Sequence, residues 1–185
     1  MGTADRPAVP KLGIILPEGE NDMGGRTARW ADYVEMAQTA EAMGFDSLWF
    51  VDHLLYGDGQ SSEPPQGVWE CWSVLAGLAA ATQRVELAPL VTSTGYRKPA
   101  LLAKIADTVD MISGGRLILA LGSGYDDPEY RAFGFPMDQK YARFEEALTI
   151  IHTLLREGAI DLEGTYCSAR DCELRPRPRG KDIPI

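Results

Sequence analysis

Two histidines stand in this sequence of 185 residues, and they occupy different settings. His53 follows Asp52 directly after a short apolar run, whereas His152 sits beside the apolar stripe of a helix-length segment and reads as an ordinary helical residue. An imidazole at a strand end can donate to a ligand oxygen or relay a proton near neutral pH. The other groups able to do chemistry also follow short apolar runs: Pro17 and Glu18, then Val91, Thr92 and Ser93, then Gly122, Ser123, Gly124 and Tyr125. Ser123 has no partner base nearby in sequence, and no G-x-S-x-G turn is present. Cys167 and Cys172 share an expected hairpin while Cys71 falls in a helix, so zinc-type ligand spacing is missing and no metal site is expected. Asp126, Asp127 and Glu129 read as carboxylates at a helix start, favoured there by the dipole. A set of aromatic residues, Trp49, Phe50, Trp69, Trp72, Tyr96 and Tyr125, is expected at or near the same loops and would suit a flat conjugated ring, with packing in the core the alternative, evenly balanced for the strand residues Trp49 and Phe50.

What must position these groups is an alternation of short and long segments. Apolar runs at 11–16, 47–51, 85–91 and 117–121 read as strands buried on both faces. Helix-length stretches at 27–43, 67–82, 98–113 and 141–157 follow them, with apolar residues three and four apart. Strand followed by helix, repeated, means parallel strands with right-handed crossovers, so the class is α/β. A doubly wound sheet is disfavoured, because 17–20 is no Gly-rich phosphate turn and Asp127 stands where G-x-G-x-x-G needs its third glycine. Residues 159–174 read as a hairpin turning at Glu163-Gly164, 175–180 as a Pro- and Arg-rich connection, and 182–185 as the start of another strand. A complete (β/α)8 TIM barrel takes ~250 residues, so residues 1–185 are expected to be a single incomplete barrel domain of four β/α units plus a hairpin insertion. In such a barrel the strand C-termini carry the active site, while Ser113-Gly114-Gly115-Arg116 falls at the opposite, structural face.

Composition narrows the function. The hydrophobic share of 45% supplies a core, and a net charge of −9 has the wrong sign for binding nucleic acid or anionic lipid. An odd count of three cysteines and an N-terminus without a signal-peptide core or membrane span point to the cytoplasm.

Four stretches resemble the luciferase-like flavin-dependent oxidoreductases: 44–53 (GFDSLWFVDH), 87–92 with Tyr96-Arg97-Lys98-Pro99, 110–125 (DMISGGRLILALGSGY) and 129–134 (EYRAFG). The resemblance implies a TIM barrel that uses FMN for monooxygenation or coenzyme F420 for hydride transfer on a small organic substrate. It places His53 as the strand-two histidine facing the flavin ring, a catalytic proton donor. It makes Leu90 and Val91 the pair joined by a non-proline cis peptide behind the ring, with Thr92 following. It makes Gly122, Ser123, Gly124 and Tyr125 the cofactor loop after strand four. Sugar-phosphate dehydrogenases of the F420 branch place a glutamate acid where this sequence has Tyr125. The wording of 69–72 (WECW) and 96–99 is closer to the F420-dependent branch. The second half of the family barrel supplies most contacts to the cofactor phosphate. A homo-oligomer is also expected, and the alternative reading is a non-catalytic half-barrel that pairs with itself or another chain through open sheet edges.

Overall fold

The computed structural model describes residues 10–55, 66–125, 127–176 and 182–185. Asp126 and the 177–180 part of the connection lie outside the described residues, as do residues 1–9. In chain order the elements are β1 (Gly13–Ile15), α1 (Trp30–Met43), β2 (Ser47–Phe50), α2 (Cys71–Ala81), β3 (Glu86–Pro89), β4 (Thr92–Ser93), α3 (Pro99–Ser113), β5 (Leu121–Gly122), α4 (Asp127–Phe133), α5 (Lys140–Glu157), β6 (Ala159–Glu163) and β7 (Ser168–Glu173).

Strand pairing follows the alternation. β1, β2 and β3 run parallel in that order, with Ile14 beside Leu48 and Leu48 beside Leu87. Leu87 in turn bridges in parallel to Leu117. The third apolar run is divided, because the Leu90-Val91 peptide is cis and separates β3 from β4. β4 then pairs in parallel with β5. The 182–185 segment lies alongside the fourth run, where the Leu119 amide donates to the Pro184 carbonyl at 2.8 Å. The expected hairpin forms as β6 and β7, antiparallel.

Because side chains alternate across a strand, each run sends every second residue to one face. Leu48, Phe50, Leu87, Leu117 and Leu119 all go to the face packed by helices, where they meet Ala37, Leu75, Leu78, Leu102, Ala106, Ile151 and Leu154 in one core. Full burial of each large apolar side chain contributes about 1.5–3 kcal/mol. On the other face Ile15 is half exposed and Trp49 partly so. This one-sided covering separates the sheet from doubly wound folds, whose helices occupy both faces.

Most of the aromatic set expected at the strand ends goes elsewhere. Phe50 obeys the alternation and points into the helix layer, edge-on to Tyr33 at 5.4 Å. Trp72 is buried in the same core. The indole of Trp49 donates back toward the strand start, to Ser47 Oγ at 2.9 Å, and that of Trp69 donates to the Ala28 carbonyl at 2.7 Å.

At the opposite end of the strands, the 113–116 turn is structural as expected. Gly114 has φ +72° and closes α3 with a left-handed cap. Arg116 then spreads its guanidinium over the end of α2, donating to the carbonyls of Ala79, Thr82 and Val85 and to Thr82 Oγ1, at 2.7 to 3.0 Å. The Ala79 and Thr82 carbonyls, at the helix end, have no partner within the helix. Arg116→Ala is expected to lower unfolding free energy by about 2–3 kcal/mol, since several part-buried acceptors are orphaned together. Urea denaturation tests this, and an unchanged midpoint would show that water replaces the guanidinium without loss.

Candidate active site

The C-terminal ends of the strands converge on a cavity of about 490 Å³, within the range of small-molecule sites. Its lining includes Glu18 after β1, Asp52 and His53 after β2, Leu90, Val91 and Ser93 from the third run, Tyr96, and Gly122 to Tyr125 after β5. The structure thus brings together seven of the eight residues singled out from the sequence. Thr92 is the exception: it alternates away from the cavity and is fully buried behind it.

The cavity wall is built by residues that lie far apart in sequence. Asp52 is buried and takes a two-pronged ion pair from Arg97, at 2.7 and 2.9 Å, plus the Ser93 amide at 3.0 Å. Burial pushes the Asp52 carboxyl above its ordinary range, opposed by Arg97 and by that amide. Arg97 also pairs with Glu70, whose carboxylate caps the start of α2 by accepting from the Trp72 and Ser73 amides. One guanidinium therefore ties the end of β2 to the loop ahead of α3 and to the start of α2.

A second tie runs through Tyr130, whose ring is buried. Its hydroxyl donates to the Ser123 carbonyl at 2.9 Å and so accepts from Ser93 Oγ at 3.0 Å. Two glycines leave the space for it. A Cβ at Gly95 would stand 2.2 Å from this oxygen and one at Gly124 2.1 Å, and Gly124 also has φ +76°.

Glu129 stands in the first turn of α4, as expected of a helix-start carboxylate, but its side chain is fully buried, behind the cavity lining. Oε1 accepts the amides of Leu54 and Leu55, at 2.5 and 2.8 Å, while Oε2 accepts the Tyr96 hydroxyl at 2.5 Å and faces His53 Nδ1 at 3.0 Å. Burial alone would raise its pKa, but the bonds from His53, Tyr96 and the two amides outweigh burial and hold the carboxyl below its ordinary value. Burial and the neighbouring carboxylate push the Tyr96 phenol far above its usual range, which keeps it a neutral donor. On the other side of the imidazole, His53 Nε2 lies 3.2 Å from the Tyr125 hydroxyl, with the rings edge to face. Tyr125 is otherwise largely exposed.

The remaining lining is largely apolar. Leu90 and Val91 are partly exposed in the cavity, and Gly122 presents no side chain where a Cβ would lie 2.8 Å from Val91 Cγ2. Ser123 Oγ turns to the neighbouring Gly124 carbonyl at 3.4 Å. Among the described residues no cluster of three or more His, Cys, Asp or Glu could hold a metal ion, and no helix is long and apolar enough to cross a membrane.

A parallel α/β sheet, with a buried carboxylate paired to an imidazole at its strand ends, carries a cavity of small-molecule size. A family model for luciferase-like monooxygenases matches residues 11–185, and the chain belongs to that family. Pyrimidine monooxygenase RutA of Methylorubrum extorquens is 38% identical over 181 residues, 92% of this chain and 49% of the relative. RutA of Pseudomonas savastanoi pv. phaseolicola is 32% identical over 179 residues, 91% of this chain and 49% of the relative. Among solved structures, monooxygenase RslO1 from Streptomyces bottropensis superposes with a TM-score of 0.79 at 27% identity, covering 95% of this chain and 52% of that one. An F420-dependent secondary alcohol dehydrogenase, solved with an F420-acetone adduct, shares the fold with a TM-score of 0.75 at 23% identity, covering 92% of this chain and 50% of that one. The chain spans about half the length of the curated relatives it matches.

Glu129→Gln is expected to cost about 2–4 kcal/mol at neutral pH, through the mismatched donors left around a buried amide. The Glu129 carboxyl lies lower in the folded chain than its ordinary 4.5, so its contribution is complete above that value and is lost as the pH falls through the folded value. The stability gap between wild type and variant should therefore close in acid. Urea midpoints measured across this range test it, and a gap independent of pH would contradict an ionised Glu129.

Proposed function

We propose that this chain forms the flavin-facing part of an oxidoreductase, with a TIM-barrel active site that works on a small organic substrate with FMN or coenzyme F420. The observation that carries this reading is the cavity itself. One wall, Leu90, Val91 and the bare Gly122, can lie against a planar conjugated ring, and His53 with Tyr125 stands at its edge. When bound, such a ring supplies two-electron redox chemistry. The chain's own part is to hold the ring plane at the 90–91 and 122–124 backbone and to carry a proton at His53 Nε2.

Monooxygenation has the better support of the two reactions. Relatives above 30% identity are named monooxygenases, whereas the F420-dependent structural neighbours, at 23% and 24%, share the fold. Their name makes a pyrimidine the first substrate class to assay. The one-sided covering of the sheet supports the barrel, where a sheet closed on itself protects the inner face that here bears Ile15 and Trp49. Association of the enzyme with its own copies belongs to the same reading and is checked by light-scattering mass. The non-catalytic alternative has less support, because the relatives sharing most of this chain's length are named as enzymes.

In the intact enzyme, titration with FMN and with F420 should give saturable absorbance or fluorescence changes for one of them. His53→Ala should lower turnover by about 10²–10⁴-fold, the usual range for a lost general acid or base, with cofactor affinity little changed. Undiminished turnover in this variant would remove His53 from the reaction.

A further inference from the structure

The geometry points to Glu129 as a positioning residue that, together with Tyr96, holds His53 in its Nδ1–H form, so that Nε2 meets the cavity as a proton acceptor. This rests on the reading of His53 as the proton-handling group and deepens it. A carboxylate can only accept, and each of its oxygens is already committed. Oε1 is held by two backbone amides, Leu54 and Leu55, which cannot reverse their role. Oε2 receives the Tyr96 hydroxyl, and the atom left facing it is His53 Nδ1 at 3.0 Å. A lone pair on Nδ1 would confront an anion, so the ring proton sits there and the lone pair of the neutral ring is on Nε2.

The surroundings permit no easy rearrangement. Tyr96 is stacked on Phe135 at 5.0 Å and tilted against Tyr130 at 5.2 Å, which fixes the direction of its hydroxyl. Tyr130 adjoins Glu129 in α4 and is itself pinned to the Ser93 and Ser123 loops. On the cavity side, the Tyr125 hydroxyl at 3.2 Å is placed to donate to Nε2.

The consequence concerns the order of proton movements. Neutral His53 has no proton to offer the cavity. It first takes one at Nε2, from substrate or from solvent by way of Tyr125, and the imidazolium so formed sits 3.0 Å from the Glu129 carboxylate. Only then can it act as the donor expected from the sequence, returning the same proton and recovering the starting tautomer.

The test is made on the intact enzyme, in which each histidine signal is assigned by its own replacement. Long-range ¹H–¹⁵N correlation of histidine-labelled protein, at a pH where the rings are neutral, distinguishes a protonated ring nitrogen from a bare one. The signals lost in His53→Gln are those of His53, and the His152→Gln variant, at an exposed position of α5, identifies the other histidine of residues 1–185. The expected result is a protonated Nδ1 and a bare Nε2 for His53. In Glu129→Gln the two amides still require the side-chain oxygen, so the NH2 group faces Nδ1 as a donor. The two shifts of His53 should then exchange. A wild-type ring protonated at Nε2 would overturn the inference, as would a folded Glu129→Gln variant with the original pattern. If that variant does not fold, the wild-type spectrum decides alone. The spectrum is recorded without cofactor: an Nδ1–H ring in a protein that binds neither FMN nor F420 would uphold this inference and refute the proposed function.

Discussion

A single buried carboxylate organises the functional end of this molecule. Glu129 arrives from α4, on the loop side of β5, and satisfies two amides that follow β2, a phenol ahead of α3 and the imidazole that lines the cavity. Without it, the turn after β2 would have two amides facing a protein interior with no acceptor, a loss comparable to a substantial share of a domain's net stability. The cost of burying the charge is offset only because four donors converge on it, which is the condition for a buried ion to be tolerated.

The Asp52–Arg97–Glu70 chain does the same for a different set of segments. Together the two networks fix the ends of the second and third apolar runs with polar contacts, and the Tyr130 hydroxyl ties the third to the fourth, while the helix-facing core fixes their middles with apolar ones. The division follows from position along a strand. Mid-strand residues find their hydrogen bonds in neighbouring strands and need only packing, but the loops beyond them lack ladder partners and draw on side chains instead. Those side chains then stand where a ligand would bind.

Much of the architecture was legible in the residues. The runs at 11–16, 47–51 and 85–91 contain β1, β2 and β3, and 117–121 contains the Leu117 bridge, whereas β4 and Gly122 of β5 lie just past the run ends; glycines such as Gly114 mark helix ends by the conformation they alone adopt cheaply. His53 was legible because a strand-end position constrains where it can point. The aromatic set misled because side-chain type carries no direction: Phe50 and Trp72 obey the alternation and the helix stripe, and both go to the core. Glu129 was not legible. An acid at a helix start already has a sufficient local explanation, and its partner His53 lies 76 residues away. The one available signal was an accounting question, namely which acceptor serves the amides that follow β2. Sequence poses that question without naming the answer.

The Tyr130 hydroxyl, with the two glycines that accommodate it, also bears on how this site can be diversified. Gly95, Gly124 and Tyr130 form a lock with no spare volume, so a library that randomises either loop as a block will consist mostly of misfolded members. Tyr125, next to Gly124 but with its ring largely in solvent, carries no such steric burden. Tyr125 can therefore be replaced without disturbing the lock.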